Sequence, residues 1–313
     1  MKKTNKRLLV TGVILCAAGV LFFGVGAASG GKNYVKTADL NRISGTAMMD
    51  SSNSHAILSK TKIDAFSSVN VDLRNLDLDV KESDDENFYI AYNIETNNGM
   101  LPLSYQVQDN TLNLVEKKGN ESYSYIHIDI NFLQEMLGQS HVIENSNKVT
   151  VYIPKKNDMN SFSCKMGYGE LDIESLKTRQ AVIKNEDGDI KITGSSFKGL
   201  ELQNELGDLK IMDSSVSGGQ IEMSDGDIKA ENITFTGENT ITSDLGDITL
   251  SIPEKTLADL SVEAEASEIN VPEELGKVMT DEDDDQSIDS ENKTQNSLEI
   301  KSDDGEVTIK AAK

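Results

Sequence analysis

Aspartate residues recur through the second half of the chain at a spacing that could build a cation site. Asp189, Asp208, Asp227 and Asp247 each follow a glycine, and successive members are 19, 19 and 20 residues apart. Carboxylate oxygens are the ligands that Ca²⁺ prefers, so four stacked aspartates are candidates for calcium binding. Local turn chemistry is the competing interpretation, because an aspartate beside a glycine can accept hydrogen bonds from the amides of its own turn. Calcium-binding β-rolls use a denser, glycine-rich nine-residue repeat, so the wider spacing here favours turn chemistry.

The sequence contains no recognisable catalytic constellation. His55, His127 and His141 are the only histidines, and they lack the spacing of metal ligands. Neither a Gly-x-Ser-x-Gly elbow nor a phosphate-binding glycine loop nor a His-Glu-x-x-His motif occurs. Some β-helices are polysaccharide hydrolases with paired carboxylates, but acids placed once per turn are what the turns themselves require. We therefore predict no catalytic residues, no cofactor and no enzymatic activity.

The elements that position these aspartates are repeats of one five-residue phrase, of the form Gly-Asp-Ile-Lys-Ile. Its spacing of 19 to 20 residues is the signature of a solenoid. Each phrase begins with a glycine because the bend needs a backbone conformation that glycine adopts freely. The predicted turn glycines are Gly169, Gly188, Gly207, Gly226, Gly246 and Gly305.

Apolar residues fall at the third and fifth places of each phrase, which is the period of a strand with one buried face. Another apolar residue stands five positions before each phrase, so a second strand precedes every turn. We predict an all-β fold, a parallel β-solenoid with rungs of 19 to 21 residues, each made of strand, tight turn, strand and loose return. The predicted inward ladder is Cys164, Ile183, Leu202, Ile221, Ile241, Val262 and Ile300.

A first rung is predicted near residue 65, well before the clear repeats. Leu76-Asp77-Leu78-Asp79-Val80 repeats the phrase, and the backward count lands on Val71. Residues 85 to 150 alternate like strands and are separated by turn signals such as Asp109-Asn110, so hairpins are expected there as antiparallel excursions. The solenoid is therefore assigned to residues 63–313. Six tyrosines between residues 89 and 152 could form a binding surface, although half-buried strand positions also explain them: Tyr89, Tyr92, Tyr105, Tyr123, Tyr125 and Tyr152.

An uncharged apolar stretch at residues 8–28 follows the basic residues 1–7. It is long enough to cross a bilayer, and the preceding positive charge predicts a cytoplasmic amino terminus with the rest outside. We expect a single transmembrane anchor at the cell membrane, followed by a linker at residues 29–62. Secretion after cleavage near Gly26-Ala27-Ala28 is the alternative. Cys16 lies in this leader and Cys164 in the body, so no disulfide is expected in the exported part, and Cys164 is expected to be a buried, inert thiol.

Acidic residues dominate the charge, with 53 Asp and Glu against 30 Lys and Arg and a net charge of -23. Nucleic acid is therefore not expected as a partner. Residues 279–296 form an acidic insert between two rungs, predicted to be a disordered loop. Its densest run could also bind cationic peptides or a cation: Asp281, Glu282, Asp283, Asp284 and Asp285.

Residues 63 to 310 resemble a large bacterial family of unknown function, named as putative adhesins with β-strand repeats and common in Gram-positive envelopes. The resemblance depends on Phe66-Ser-Ser-Val-Asn-Val-Asp-Leu, the Val149-Thr-Val-Tyr-Ile-Pro strand, the Gly-Asp-Ile phrases and the terminal Leu298-Glu-Ile-Lys. It implies the fold and carries no catalytic residues. It also implies an envelope location and a link to envelope stress.

Three function classes remain open from the sequence. The chain is expected to be an anchored structural or interaction module of the envelope, with envelope proteins as partners. An adhesin for host or neighbouring surfaces and a sensor that captures cationic antimicrobial peptides through its negative field are the alternatives. The sequence does not determine the ligand or the oligomeric state.

Overall fold

A computed structural model describes residues 55–96, 101–117, 147–281, 285–290 and 294–312. All of these residues belong to one compact unit, Ser54–Asn120 with Asn145–Lys313. The predicted anchor at residues 8–28 lies outside the described residues. Among the residues that the structure does describe, no helix is long and apolar enough to cross a membrane.

Strands make up almost all of the regular structure, as the period-two pattern requires. The strands before the clear repeats are β1 (His55–Ile63), β2 (Ser68–Leu73), β3 (Asp77–Ser83), β4 (Phe88–Glu95), β5 (Leu103–Gln108), β6 (Thr111–Glu116), β7 (Lys148–Pro154) and β8 (Asp158–Met159).

The clear repeats contribute fourteen strands, each aligned with its equivalents one repeat away. They are β9 (Ser161–Tyr168), β10 (Leu171–Glu174), β11 (Lys177–Thr178), β12 (Ala181–Asp187), β13 (Ile190–Thr193), β14 (Ser196–Phe197), β15 (Leu200–Leu206), β16 (Leu209–Met212), β17 (Ser215–Ser217), β18 (Gly219–Asp225), β19 (Ile228–Glu231), β20 (Thr234–Thr236), β21 (Glu238–Leu245) and β22 (Ile248–Pro253).

The carboxyl-terminal part adds two short helices and six strands. They are α1 (Glu254–Leu257), β23 (Ser261–Ala266), β24 (Glu268–Asn270), a 3₁₀ helix (Glu273–Leu275), β25 (Met279–Thr280), β26 (Gln286–Asp289), β27 (Ser297–Asp304) and β28 (Glu306–Ala312).

Three sheets surround one apolar core. In the first the strand order is β25-β26-β23-β27-β21-β18-β15-β12-β9-β2-β6-β5, and in the second it is β1-β4-β7-β3-β10-β13-β16-β19-β22-β28-β24. The third has the order β20-β17-β14-β11-β8. Within the repeats every pairing is parallel and joins residues one rung apart, for example Ile183 to Leu202 and Ile190 to Leu209. The prediction of an all-β fold with parallel stacked rungs is confirmed.

The third sheet corrects the predicted rung, which had two strands and a loose return. One residue of each short strand points inward, and these are Met159, Thr178, Phe197, Val216 and Phe235. All five are buried and lie 19 residues apart. The return is therefore a third stacked strand, because a bulky residue there closes the open side of the core.

The first rung lies where the sequence predicts it. β2 pairs with β9 so that Val71 stands beside Cys164, and β3 pairs with β10 so that Leu78 stands beside Leu171. The predicted antiparallel excursion is correct only in part. β4 pairs antiparallel with β1 and β7, and β5 pairs antiparallel with β6 in a hairpin whose turn is Asp109-Asn110. However, β6 also pairs parallel with β2, and β7 pairs parallel with β3.

Two segments expected to lack regular structure contain strands. The linker predicted at residues 29–62 ends earlier, since β1 (His55–Ile63) pairs antiparallel with β4. The insert at residues 279–296 contains β26, which pairs antiparallel with β23 and buries Ile288. A single apolar residue is enough to attach this short strand to an exposed sheet edge, although the surrounding charge hides the pattern.

The last rung of the sequence is not the last rung of the stack. β27 lies between β21 and β23, and β28 lies between β22 and β24. Ala264, and not Val262, therefore stands beside Ile300, while Val262 stands beside Leu298. Val262 is buried as predicted, but its predicted register with Ile300 is wrong because the turn from β23 to β24 is two residues shorter than the others.

Candidate functional site

The tight turns between the first and second sheets form the most distinctive surface of the described chain. Gly188, Gly207, Gly226 and Gly246 have φ values of 136°, 111°, 135° and 114°, which side chains rarely adopt. Gly169 and Gly305 do not have a positive φ, so a special backbone conformation does not explain them. A Cβ atom on any of the six would lie closer than 3.0 Å to a backbone carbonyl oxygen one rung away. Close stacking of the turns is thus the reason that all six share.

The aspartates after these glycines bond to the next rung and not to their own turn. The backbone amide of Asp208 donates to Oδ1 of Asp189 at 2.9 Å, Asp227 to Asp208 at 3.0 Å, and Asp247 to Asp227 at 2.9 Å. Glu306 continues the series by donating to Oδ1 of Asp247 at 2.9 Å. The predicted hydrogen bonds to amides of the same turn are therefore wrong. Each aspartate bonds the amide of the neighbouring rung instead, because parallel stacking places equivalent residues beside one another.

The four calcium candidates are aligned, but the structure does not gather them into a cation site. One carboxylate oxygen of each of Asp189, Asp208, Asp227 and Asp247 accepts an amide hydrogen bond. In the described ranges no group of three or more His, Cys, Asp or Glu side chains is arranged to hold a metal ion. A column with one carboxylate per rung leaves each oxygen with too few neighbours for the six to eight ligands of Ca²⁺.

An asparagine pair supports the turns from inside the core. The Nδ2 of Asn185 donates to the carbonyl of Gly188 at 2.8 Å and to Oδ1 of Asn204 at 3.0 Å, while Asn204 donates to the carbonyl of Gly207 at 2.9 Å. Both side chains are buried. The sequence analysis missed this pair. Its signal was the polar residue at an inward position in two successive rungs.

Twelve acidic residues line the last five of these turns, and no basic residue occurs in the same turns. We call this surface the acidic edge. It consists of Glu186, Asp187, Asp189, Glu205, Asp208, Asp225, Asp227, Asp244, Asp247, Asp303, Asp304 and Glu306. Amide hydrogen bonds between rungs hold these turns, and Asn185 and Asn204 also hold the turns of Gly188 and Gly207, so the edge presents negative charge on a fixed framework.

Large apolar side chains are exposed in two of these five turns and in the turn of Gly169, which precedes them in the stack. Tyr168 is 62% exposed, Leu206 46% and Leu245 47%. Each stands beside an aspartate of a neighbouring rung, because Asp187 pairs with both Tyr168 and Leu206, and Asp225 pairs with both Leu206 and Leu245. The edge is therefore both acidic and partly apolar.

The residue pattern behind this edge matches a known family. The family model described as Toastrack DUF4097 matches residues 66–310. The chain belongs to the Toastrack family. A comparison with curated proteins found no match.

Two solved structures are similar to this Toastrack chain. One is described as a "putative cell adhesion protein" from Clostridium sporogenes, with 12% identity, a TM-score of 0.35, and coverage of 83% of this chain and 100% of that one. The other is described as a "putative adhesin" from Bacteroides fragilis, with 13% identity, a TM-score of 0.41, and coverage of 82% and 97%.

The inward ladder residues of the Toastrack chain lie in its core. All seven are at most 2% exposed: Cys164, Ile183, Leu202, Ile221, Ile241, Val262 and Ile300. Burial raises the pKa of the Cys164 thiol well above its usual range. The thiol is free, and its surroundings offer no base or cation that would activate it.

The acidic insert contributes two described residues of its densest run, Asp281 and Asp285. Both are exposed, and they bond to each other: the amide of Asp285 donates to Oδ1 of Asp281 and the amide of Asp281 donates to the carbonyl of Asp285, both at 3.0 Å. Glu282, Asp283 and Asp284 lie outside the described residues. The insert and the acidic edge are separate stretches of the chain.

Two tyrosines of the strands before the clear repeats, Tyr89 and Tyr152, contact a lysine of the same sheet. The ammonium of Lys60 lies 4.4 Å from the ring centroid of Tyr152 and 4.9 Å from that of Tyr89, and it pairs with Asp84 at 2.7 Å. Hydrogen bonding to Asp85 raises the pKa of Tyr89. The rings are half-buried and already hold a cation of the chain itself, so this cluster is not an open binding surface.

Proposed function

We propose that this Toastrack chain is a membrane-anchored β-solenoid outside the bacterial cytoplasm, a non-catalytic interaction module of the cell envelope that takes part in the envelope-stress response. The acidic edge is the observation that carries this proposal. Its charges are aligned along one side of the stack, and the exposed apolar side chains of Tyr168, Leu206 and Leu245 stand beside them. Exposed apolar residues grouped on a rigid surface are typical of protein interaction sites.

Cross-linking in cells tests whether the edge is the binding surface. The full-length protein would be compared with a variant that carries Asp187→Asn, Asp225→Asn and Asp244→Asn, which removes charge from residues with exposed side chains. A matched control carries Glu263→Gln, Glu273→Gln and Glu274→Gln, which are also exposed but lie away from the edge. We expect specific cross-linked partners to disappear from the edge variant and persist in the control. Identical cross-links in both variants would contradict the proposal.

Membrane anchoring needs its own test. The apolar residues 8–28 after the basic residues 1–7 support an anchor with the solenoid outside. Protease added to protoplasts should remove the solenoid and leave the amino-terminal segment in the membrane. A soluble form cut near Ala28 would show instead that the leader is a cleaved signal peptide.

Capture of cationic peptides at the insert is a second candidate function. It is supported by the exposure of Asp281 and Asp285 in a stretch of five consecutive acids. Titration calorimetry with a cationic amphipathic peptide should show salt-sensitive binding that weakens when residues 281–285 are neutralised. Peptide binding that is unchanged by this neutralisation would exclude the insert as the site.

Adhesion to host or neighbouring surfaces is the third candidate function. Added soluble protein should then compete with the attachment of whole cells.

A further inference from the structure

Six residues stand in register in one row along the acidic edge and the adjoining turn of Gly169, one from each successive rung, and we call this row the ridge. In the order of the stack they are Tyr168, Asp187, Leu206, Asp225, Leu245 and Asp304. All six occupy equivalent positions in their rungs. In two of the rungs this position follows the buried Asn185 or Asn204 by two residues. Apolar and acidic side chains alternate along this line, so the apolar ones recur at every second rung.

The fold does not require an apolar side chain at this position. Asp187 and Asp225 fill the same position in the intervening rungs, which shows that the solenoid accepts a fully polar side chain there. The side chains of Leu206 and Leu245 nevertheless stay about half exposed. Contact with a partner would remove from water the apolar surface that these two leucines still expose.

The direction of the ridge excludes the commonest kind of strand recognition. The ridge runs along the stacking direction, across the strands, so an added β-strand lying on it could not pair with a sheet edge. An extended strand would also point alternate side chains away, and residues i and i+3 lie on opposite faces of a strand.

The spacing of the apolar residues along the ridge selects among the remaining backbone conformations of a bound peptide. Two rungs of about 4.8 Å each separate neighbouring apolar residues by about 9.6 Å. One turn of a polyproline II helix, three residues long, advances about 9.3 Å, while seven residues of an α-helix advance about 10.5 Å. From Tyr168 to Leu245 the mismatch is about 0.6 Å for polyproline II and about 1.8 Å for the α-helix. Polyproline II keeps every third residue on one face and therefore fits all three positions.

The charge beside the ridge indicates which residues the partner carries between its apolar contacts. Glu186, Glu205 and Asp244 flank it on one side, and Asp189, Asp208 and Asp227 flank it on the other. A segment lying on the ridge therefore meets carboxylates on both sides. Basic residues are favoured at the two positions between successive apolar contacts.

We propose that this ridge binds a basic polyproline II segment of another protein, with an apolar residue at every third position and Lys or Arg between. The inference names the partner class of the acidic edge, so it rests on the proposed function. Tyr168, Leu206 and Leu245 would contact the apolar residues of the segment and so select for their spacing. The flanking acids would attract its basic residues. Salt screens that attraction, with a Debye length of about 8 Å at physiological ionic strength.

Fluorescence anisotropy of the full-length protein in detergent tests the proposal with three labelled peptides of equal net charge. The first is four repeats of Pro-Lys-Lys, the second has the same composition with its prolines contiguous, and the third is an α-helical peptide with leucines seven residues apart and lysines between. We expect the first to bind about tenfold more tightly than the second, a difference of about 1.4 kcal/mol, which corresponds to about 55 Å² of apolar surface.

Variants of the ridge separate spacing from charge. The double variant Leu206→Ser, Leu245→Ser should remove the tenfold preference while leaving the salt dependence intact. Ile57→Ser with Met279→Ser is the matched control, since those residues are 71% and 57% exposed and lie off the ridge. Equal binding of the first two peptides, tighter binding of the helical one, no binding at low salt, or a preference that survives the ridge variant would each overturn this inference. The edge-dependent cross-links in cells judge the proposed function separately, whatever the peptides show.

Discussion

The backbone amide of Asp208 donates a 2.9 Å hydrogen bond to Oδ1 of Asp189, one rung away in the stack. Asp208 in turn accepts from the amide of Asp227 at 3.0 Å. The carboxylates can stack at rung spacing, in spite of their like charges, because an amide donor lies next to each of them. Hydrogen bonds to a charged acceptor are worth about 1.5–3 kcal/mol each, which offsets the repulsion between exposed carboxylates.

Replacing Asp208 tests whether its hydrogen-bond acceptor or its negative charge stabilises the turn. Asp208→Asn keeps an oxygen for the Asp227 amide and removes a like charge, so its free energy of unfolding should stay within about 0.5 kcal/mol of the wild type. Asp208→Ala removes the acceptor and should cost about 1–3 kcal/mol. Urea denaturation monitored by circular dichroism measures both. Equal destabilisation by the two substitutions would show that the charge itself holds the turn.

Gly207→Ala tests the stacking of the turn glycines. The new Cβ atom would lie 2.6 Å from the carbonyl oxygen of Gly188, and φ at Gly207 is 111°. Gly194→Ala is the matched control, since Gly194 also has a positive φ, 61°, but its nearest neighbour would be the Ser175 Oγ at 3.7 Å. The control should cost about 1–2 kcal/mol from backbone conformation alone. Gly207→Ala should cost at least twice as much in the same denaturation assay, and equal costs would contradict close stacking.

The sequence predicts much of this fold because each rung repeats the same physical requirement. Inward residues such as Ile183 and Leu202 need apolar neighbours above and below, so the repeat period is visible in the pattern. The third sheet was missed because its strands are two or three residues long and bury one side chain each, which leaves no alternation to detect. Phe197 and Phe235 were nevertheless visible as bulky residues at multiples of 19 residues.

Two features could not be predicted from the repeat alone. The position of β27 between β21 and β23 was hidden because its phrase matches either neighbour equally well. The ridge of Tyr168, Leu206 and Leu245 was also missed, since these residues lie just before the turn glycines, where the repeat phrase begins. Their alignment becomes meaningful only when the register of the rungs is known.

Inward residues in the middle of the stack should dominate stability. Ile221 is 2% exposed and lies between Leu202 and Ile241, so Ile221→Ala should lower the free energy of unfolding by about 2–5 kcal/mol. Lys210→Ala is the control, because Lys210 points outward on the second sheet and is half-buried. Guanidinium denaturation of both variants makes the comparison. Equal shifts in the midpoint would contradict the register.

Cys164 should make stability depend on pH in the alkaline range. Burial raises the pKa of its thiol in the folded state, whereas an exposed thiol titrates near 8.5. As pH rises above that value the unfolded chain loses a proton that the folded chain keeps, so stability falls. The expected loss is about 1 kcal/mol between pH 8.5 and 9.5, relative to Cys164→Val in the same assay. Parallel pH profiles for the two proteins would show that the thiol ionises in the folded state.

The last prediction concerns the rung that is inserted out of sequence order. Ile300 on β27 stands between Ile241 of β21 and Ala264 of β23, and it is fully buried. Truncating the Ile300 side chain should therefore loosen both neighbouring strands, β21 and β23. We expect Ile300→Ala to cost about 2–5 kcal/mol and to speed hydrogen exchange in both β21 and β23.

Ile288→Ala provides the matched comparison for this test. Ile288 is equally buried, but its strand β26 pairs with β23 and with the short β25 and not with β21. Its truncation should speed exchange in β23 and leave β21 protected. If the rungs stacked in sequence order, with β27 at the end, Ile300→Ala would leave β21 as protected as Ile288→Ala does. Mass spectrometry of exchanged peptides from both variants distinguishes the two orders, because only the inserted arrangement places β21 and β23 in contact with the same strand.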